Sequence, residues 1–196
     1  MDDIRTRNPI ELFQLWLAEA EEAEPSLATA ACLATVDSSG APAARMGLLK
    51  GADKRGFVFY TNLDSRKGQE LITRPRGALC FHWKSLQRQV RIEGPAQQVS
   101  PFEADAYFAT RPRNSQIAAW ASEQSRPVDS RATLESRFAE AGARFGDNPV
   151  PRPPSWSGFR IVAEMIEFWA ERPHRMHDRM RFSRAGFGWN AERLYP

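Results

Sequence analysis

Strand-like runs fill the first and last parts of this 196-residue chain, and helical patterns fill its middle. A parallel α/β sheet needs strands and helices to alternate, because each parallel connection crosses over through a helix. That alternation is missing. The order therefore predicts a mostly β fold with peripheral helices (α+β), an antiparallel sheet or barrel. Residues 8–23 read as a helix, with Asn8 as cap, Pro9 at its first position, Glu11 as a capping-box acid and an apolar stripe of Phe13, Trp16, Leu17 and Ala20. Strands are expected at 30–36, 43–50, 57–61, 78–83 and 89–97, with a turn over 51–56 and Pro95 placing the last of these at an edge or bulge. A helix capped by Asp64 or Ser65 runs to Thr73. Further helices are expected at 100–110, 115–121 and 130–145, the last with Leu134, Phe138 and Ala141 on one face. Strand character returns at 158–162, 165–169, 179–183 and 187–194. The whole, 1–196, is expected to be one domain, with residues 1–24 as an N-terminal helix and candidate lid and 150–196 as C-terminal strands.

Composition narrows the class. The chain is 42% hydrophobic and 26% charged, which suits a soluble globular protein. No window approaches 18 consecutive apolar residues, and the start MDDIRTRNPIELF has no signal-peptide apolar run, so a cytoplasmic protein without membrane contact is expected. Cys32 and Cys80 lie in apolar runs and read as two buried thiols. No CxxC or HExxH spacing supports a metal site. The basic residues are 23 Arg and 4 Lys, and residues 171–196 carry six Arg against three acids, which equals the whole formal charge of +3. Arginine suits phosphate and carboxylate geometry better than lysine does.

Chemistry gathers where strands meet turns. In Arg45-Met46-Gly47-Leu48-Leu49-Lys50 the two cations have opposite strand parity, and spacing alone favours a strand with charged ends unless a bulge or second subunit intervenes. Arg66 and Lys67 follow Tyr60-Thr61 in the first turn of a helix, where cations oppose the helix dipole. A bound anion would relieve that conflict; a solvated helix start is the alternative. Gln89, Arg91 and Glu93 share one strand parity, and Gln89 offers both a donor and an acceptor to a heterocycle edge. Arg175, His177 and Arg179 alternate, so a strand would align three cationic or titratable groups that repel unless an anion lies between them. Tyr107 and Arg111 are spaced i,i+4 ahead of Ser115, a candidate phosphate cup.

These stretches together resemble the pyridoxine (pyridoxamine) 5′-phosphate oxidase family. The motifs are RMGLLK (45–50), GFVFYTNLDSRKG (56–68), RQVRIEG (88–94), YFATRPRNSQIAAWASEQS (107–125), VPRPPSW (150–156), IEFWAERPHRMHDR (166–179) and RLYP (193–196). The resemblance implies an FMN-binding split β-barrel with FMN at a homodimer interface. It implies hydride transfer from a phosphorylated B6 vitamer to flavin, reoxidation by O2 to give H2O2, and pyridoxal 5′-phosphate as product. It carries FMN contacts onto Arg45, Met46, Gly47, Leu48, Leu49, Lys50, Tyr60, Thr61, Arg66, Lys67, Gln89, Gln124, Ser125, Trp169 and Arg179. Substrate contacts fall on Lys50, Tyr107, Arg111, Ser115, Arg175, Met176 and His177, with Arg175 and His177 as the catalytic pair over the pyridine ring. A homodimer would also bring Arg45 and Lys50 to shared sites.

The chain departs from the family pattern in places. Leu27 and Ala28 stand where many members carry a polar residue, WSGF (156–159) replaces WGGY/F, IAAW (117–120) replaces IGAW, and no Tyr precedes Tyr60. A second enzyme reading is a related split-barrel oxidase of another ring, of phenazine type, and a non-enzyme reading is a split-barrel flavin- or vitamer-binding protein that does not turn over. A nucleic-acid binder is a third class, prompted by aromatics among arginines at 81–91, but no nucleic-acid motif supports it.

Overall fold

The computed structural model describes residues 5–196; the first four residues of the acidic start lie outside them. Helix α1 (Pro9–Ala23) begins at Asn8, whose side chain accepts from the Ile10 N–H at 2.9 Å. Its buried face carries Ile10, Leu12, Phe13, Trp16 and Ala20, so only Leu17 of the expected stripe stays partly exposed. Then follow β1 (Ala30–Val36), β2 (Pro42–Leu48), β3 (Gly51–Asp53), β4 (Gly56–Asn62), α2 (Arg66–Thr73), β5 (Arg76–Trp83) and β6 (Arg88–Gln98). The helical middle is α3 (Pro101–Ala109), α4 (Arg113–Ala121) and α5 (Arg131–Phe145), and β7 (Trp156–Ile161), β8 (Met165–Ala170), β9 (Asp178–Ala185) and β10 (Gly188–Arg193) close the chain.

All strand pairs are antiparallel. One path runs β10-β9-β8-β6-β5-β1-β2, and a second runs β3-β4-β7 and rejoins β6. The chain steps from β2 to β3 at Leu49 and Lys50, whose N–H groups donate to Thr29 O (2.9 Å) and Val58 O (2.8 Å). The first half of the 42–53 segment thus pairs with β1 and the second with β4, which closes a ring β1-β2/β3-β4-β7-β6-β5, a split barrel with β8–β10 extending from β6. Residues 51–53 were expected to belong to a turn over 51–56; instead they form this short strand, and only 54–55 make the tight hairpin turn into β4.

Strand β6 serves both sheets. Residues 88–93 pair with β8 and residues 96–98 with β7. Pro95, read as the strand's end, instead marks this change of partner. It has no N–H to offer, and its carbonyl accepts from Val162 N–H at 2.9 Å. Beside it, a Cβ on Gly94 would stand 2.0 Å from Val162 O, so only glycine lets the two backbones approach.

Aromatic side chains fill the interior. Phe13 of α1 meets Phe57 edge-on at 4.9 Å and Phe81 at 5.1 Å, and Trp16 meets Phe168 at 5.1 Å. Trp83 is buried and donates its Nε1–H to Ala28 O at 2.8 Å, which satisfies its one polar group. Cys32 and Cys80 face each other across β1 and β5 as free thiols, half-buried rather than fully buried. On α5 the expected apolar face is largely open: Leu134 is 39% and Phe138 36% exposed, and Phe145 alone in that helix is buried. Among the described residues no helix is long and apolar enough to cross a membrane.

Candidate functional site

Where β4 ends, the Ser65 hydroxyl donates to Asn62 O at 2.6 Å and accepts from Gly68 N–H at 3.3 Å, capping α2. Gly68 is pressed so close that a Cβ would lie 2.3 Å from Leu63 O. Arg66 and Lys67 occupy this first turn. Lys67 Nζ donates to Thr61 Oγ1 (3.1 Å), Ser65 Oγ (3.3 Å) and Gln124 Oε1 (3.0 Å). Burial pushes the Lys67 pKa down, and the nearby Arg45 charge adds to that. One turn on, Glu70 is 5% exposed and accepts from Thr35 Oγ1, from Arg45 Nη2 at 3.0 Å and from Arg66 Nε at 2.8 Å. Burial alone would raise the Glu70 pKa, but those three donors outweigh it and the net shift is downward.

Three adjoining cavities surround this turn. One of about 190 Å³ is walled by Arg45 through Leu49 together with Tyr60, Thr61, Lys67 and Gln124. A more open one of about 500 Å³ includes Arg45, Met46, Arg66, Lys67, Gln124 and Ser125. The third, about 330 Å³, is lined by Leu48, Lys50, Tyr60, Thr61, Tyr107, Arg111 and Gln124. Lys50 and Arg45 thus line neighbouring cavities; Lys50 lies past the end of β2, in the step to β3, so strand parity does not set its direction. In the third cavity Tyr60 lies parallel to Tyr107 at 4.0 Å and to Trp156 at 5.2 Å. The Arg111 guanidinium sits over Trp156 at 4.9 Å and over Phe108 at 5.5 Å. Its Nη1 is buried with no hydrogen-bond partner among the described residues, and desolvation pulls the Arg111 pKa down. Ser115 is in the first turn of α4 with its N–H on Pro112 O (2.8 Å), and it is not among this cavity's lining residues.

The remaining candidates lie on another part of the sheet. Gln89, Trp169 and Arg179 are lateral neighbours on β6, β8 and β9. Gln89, Arg91 and Glu93 do share a face, opposite buried Val90 and Ile92. Arg179 Nε donates to Glu167 at 2.8 Å, which raises the Arg179 pKa. The expected alternation of Arg175, His177 and Arg179 along one strand is not present. Pro173–Arg175 form a 3-10 turn, His174 and Arg175 take left-handed φ values of 59° and 60°, and β9 begins only at Asp178. Proline and left-handed backbone both break a ladder, so the three side chains need no shared anion. His177 packs tilted against Trp169, with ring centroids 4.7 Å apart, and its Nδ1 accepts from Arg172 N–H at 3.3 Å. Arg175 and Met176 are exposed, and Arg175 has no hydrogen-bond or ion-pair partner among the described residues. None of the three cavities includes a residue of this second group.

Comparison with known proteins bears on both groups. The sequence profile described as pyridoxamine 5′-phosphate oxidase matches residues 17–145, and that of the pyridoxine 5′-phosphate oxidase C-terminal dimerisation region matches residues 156–196. The chain belongs to the pyridoxine/pyridoxamine 5′-phosphate oxidase family. A member of that name from Gluconobacter oxydans is 56% identical over 96% of this chain and 94% of its own, and one from Rhodospirillum rubrum is 56% identical over 100% of both. Among solved structures, PhzG from Burkholderia lata, in complex with tetrahydrophenazine-1-carboxylic acid, superposes with a TM-score of 0.93 at 32% identity, covering 99% of this chain and 95% of its own. A pyridoxamine 5′-phosphate oxidase-related, FMN binding protein from Nostoc punctiforme shares the fold at TM-score 0.78 and 16% identity, over 97% of this chain and 100% of that one.

The departures from the oxidase pattern acquire structural meaning. Ala28 contributes its carbonyl to Trp83 while Leu27 stands 64% exposed, so backbone rather than side chain is used there. In WSGF the glycine that matters is Gly158, where a Cβ would meet Tyr60 at 2.7 Å, whereas Ser157 is accommodated in the buried wall. Two residues of this candidate site and its surroundings were not singled out from sequence. Trp156 stood inside a recognised motif, and Glu70 sits at i+4 from Arg66, a spacing that signals a pair but not its burial.

Proposed function

We propose that this chain oxidises pyridoxine 5′-phosphate and/or pyridoxamine 5′-phosphate to pyridoxal 5′-phosphate, using FMN and reducing O2 to H2O2. The observation that carries the reading is Arg111, a half-buried arginine whose buried Nη1 has no hydrogen-bond partner among the described residues and whose guanidinium lies against a wall of parallel rings. Such a group calls for an anion, and Tyr107 and Lys50 beside it suit a phosphate. The residues at the start of α2 fit the phosphate of FMN: Arg66 and Lys67 supply charge and α2 its N-terminus. Bound FMN would supply the redox chemistry, accepting the C4′ hydride and passing its electrons to oxygen.

The protein's own work is placement. Arg111, Tyr107 and Lys50 hold the substrate phosphate, and Ser115 joins them only if α4 shifts toward the cavity. Arg45 through Lys50, Tyr60, Thr61, Gln124 and Ser125 wall the flavin pocket. In this reading the second group belongs to the partner's half of a homodimer. Gln89, Trp169 and Arg179 close over the flavin, and Arg175, Met176 and His177 over the substrate ring, where Arg175 and His177 stabilise charge as hydride leaves. Phosphorylated substrates are confined by membranes, so the reading includes a cytoplasmic location.

Arg111 would also accept a ring carboxylate, which keeps a phenazine-type oxidase as the second reading, favoured by the likeness to the Burkholderia lata protein. Oxygen uptake measured with pyridoxine 5′-phosphate, pyridoxamine 5′-phosphate and unphosphorylated pyridoxine separates them. Uptake with a phosphorylated vitamer alone is expected. No uptake with either phosphate ester, by FMN-loaded protein, overturns the proposal.

A further inference from the structure

We infer that Glu70 is a positioning residue for the anion site, a buried carboxylate that fixes Arg45 and Arg66 so that the first turn of α2 meets a phosphate ready-made. The inference rests on the FMN reading above and adds a residue to it. Glu70 lines none of the three cavities. It sits behind the cations, one helical turn from the N-terminus, and ties together three elements: Thr35 from β1, Arg45 from β2 and Arg66 from its own helix. Arg45 is further held by Nη1 on Thr35 Oγ1 and on Leu33 O (3.3 Å).

Arg66 has a side chain 61% exposed, and such an arginine would otherwise sample many rotamers. Its Nε is engaged by Glu70 at 2.8 Å, which leaves both Nη groups without a partner among the described residues. A carboxylate this buried is costly unless fully paired, and Glu70 is paired by three donors. The cost of ordering the arginine is thus met before an anion arrives.

Simple charge counting predicts the opposite effect: an acid beside an anion site should weaken binding, and its removal should tighten it. The test measures FMN and riboflavin dissociation constants by flavin fluorescence on full-length apoprotein, for wild type, Glu70→Gln, Glu70→Asp and Thr35→Val. Riboflavin lacks the phosphate, so a general packing defect moves both constants together. The expected result is an FMN affinity weakened about tenfold in Glu70→Gln, riboflavin affinity unchanged, and partial recovery in Glu70→Asp. FMN affinity unchanged or tighter, or equal losses for both flavins, overturns the inference. If Glu70→Gln does not fold, Thr35→Val, which removes only the hydroxyl between Arg45 and Glu70, decides: a selective FMN loss of about threefold supports positioning, and an unchanged FMN-to-riboflavin ratio overturns it. A wild type that binds riboflavin and FMN equally or not at all sinks the FMN reading itself, and the inference with it.

Discussion

Arg111 holds a charge that its own chain leaves unanswered, so its truncation should act on substrate more than on flavin. Arg111→Ala is expected to raise KM for the phosphorylated vitamer about 10- to 100-fold, the scale of a lost charge-assisted contact, with FMN affinity unchanged in a fluorescence titration. Arg111→Lys should recover little, because a lysine cannot lie flat over Trp156 while donating in two directions. Glu70 sets a second expectation at this scale. Its pKa lies below the ordinary 4.5 in the folded chain, so its stabilising contribution is complete above that value and is lost as pH falls through the folded one. Urea midpoints of wild type and Glu70→Gln should therefore differ at pH 6 and converge toward pH 3. The sequence exposed Arg66 and Lys67 because cations at a positive helix end break a local rule, and Arg111 because it stands i+4 from Tyr107 just ahead of Ser115. Glu70 and Trp156 break none, and only their burial and neighbours reveal them.

Side-chain-capped helix starts were legible because capping is local chemistry; α4, which has no side-chain cap, starts at Arg113 instead of the expected 115. Asn8, Ser65, Ser100 and Ser130 each accept a backbone N–H as their sequences predict. Features set by distant partners were not. The break between β2 and β3 is set where Leu49 and Lys50 donate to Thr29 O and Val58 O, and the run at 175–179 loses its alternation through two left-handed residues that no periodicity records. The exposed face of α5 has the same origin, since the described residues cover Leu134 and Phe138 only in part. Gly94 offers a test of such non-local fit. Gly94→Ala places a methyl 2.0 Å from Val162 O, backbone that cannot swing aside, and should lower stability by about 3 kcal/mol in chemical denaturation. Gly142→Ala, on open α5 surface, is the matching control and should be neutral or slightly stabilising.

At the scale of the molecule, the site residues fall into two groups that one chain does not join, and the second includes Trp169, Arg175, His177 and Arg179 within the profile of the dimerisation region. If two subunits complete each site, defects in different groups should complement. Arg66→Ala and Arg175→Ala, each inactive alone, should regain about a quarter of wild-type activity when unfolded and refolded together, because half of random dimers are mixed and each holds one intact site of two. No recovery would place both groups in one subunit. The double membership of β6 has a consequence of another kind. Its N-terminal half pairs with β8 and its C-terminal half with β7, while β5 runs along its other edge. No line can be drawn that frees one sheet and leaves the other standing without tearing this strand from a partner. The slowest amide protons on β5, β6, β7 and β8 should then share one opening free energy, that of global unfolding, and the barrel with its cavities and the C-terminal strands should melt as a single cooperative unit.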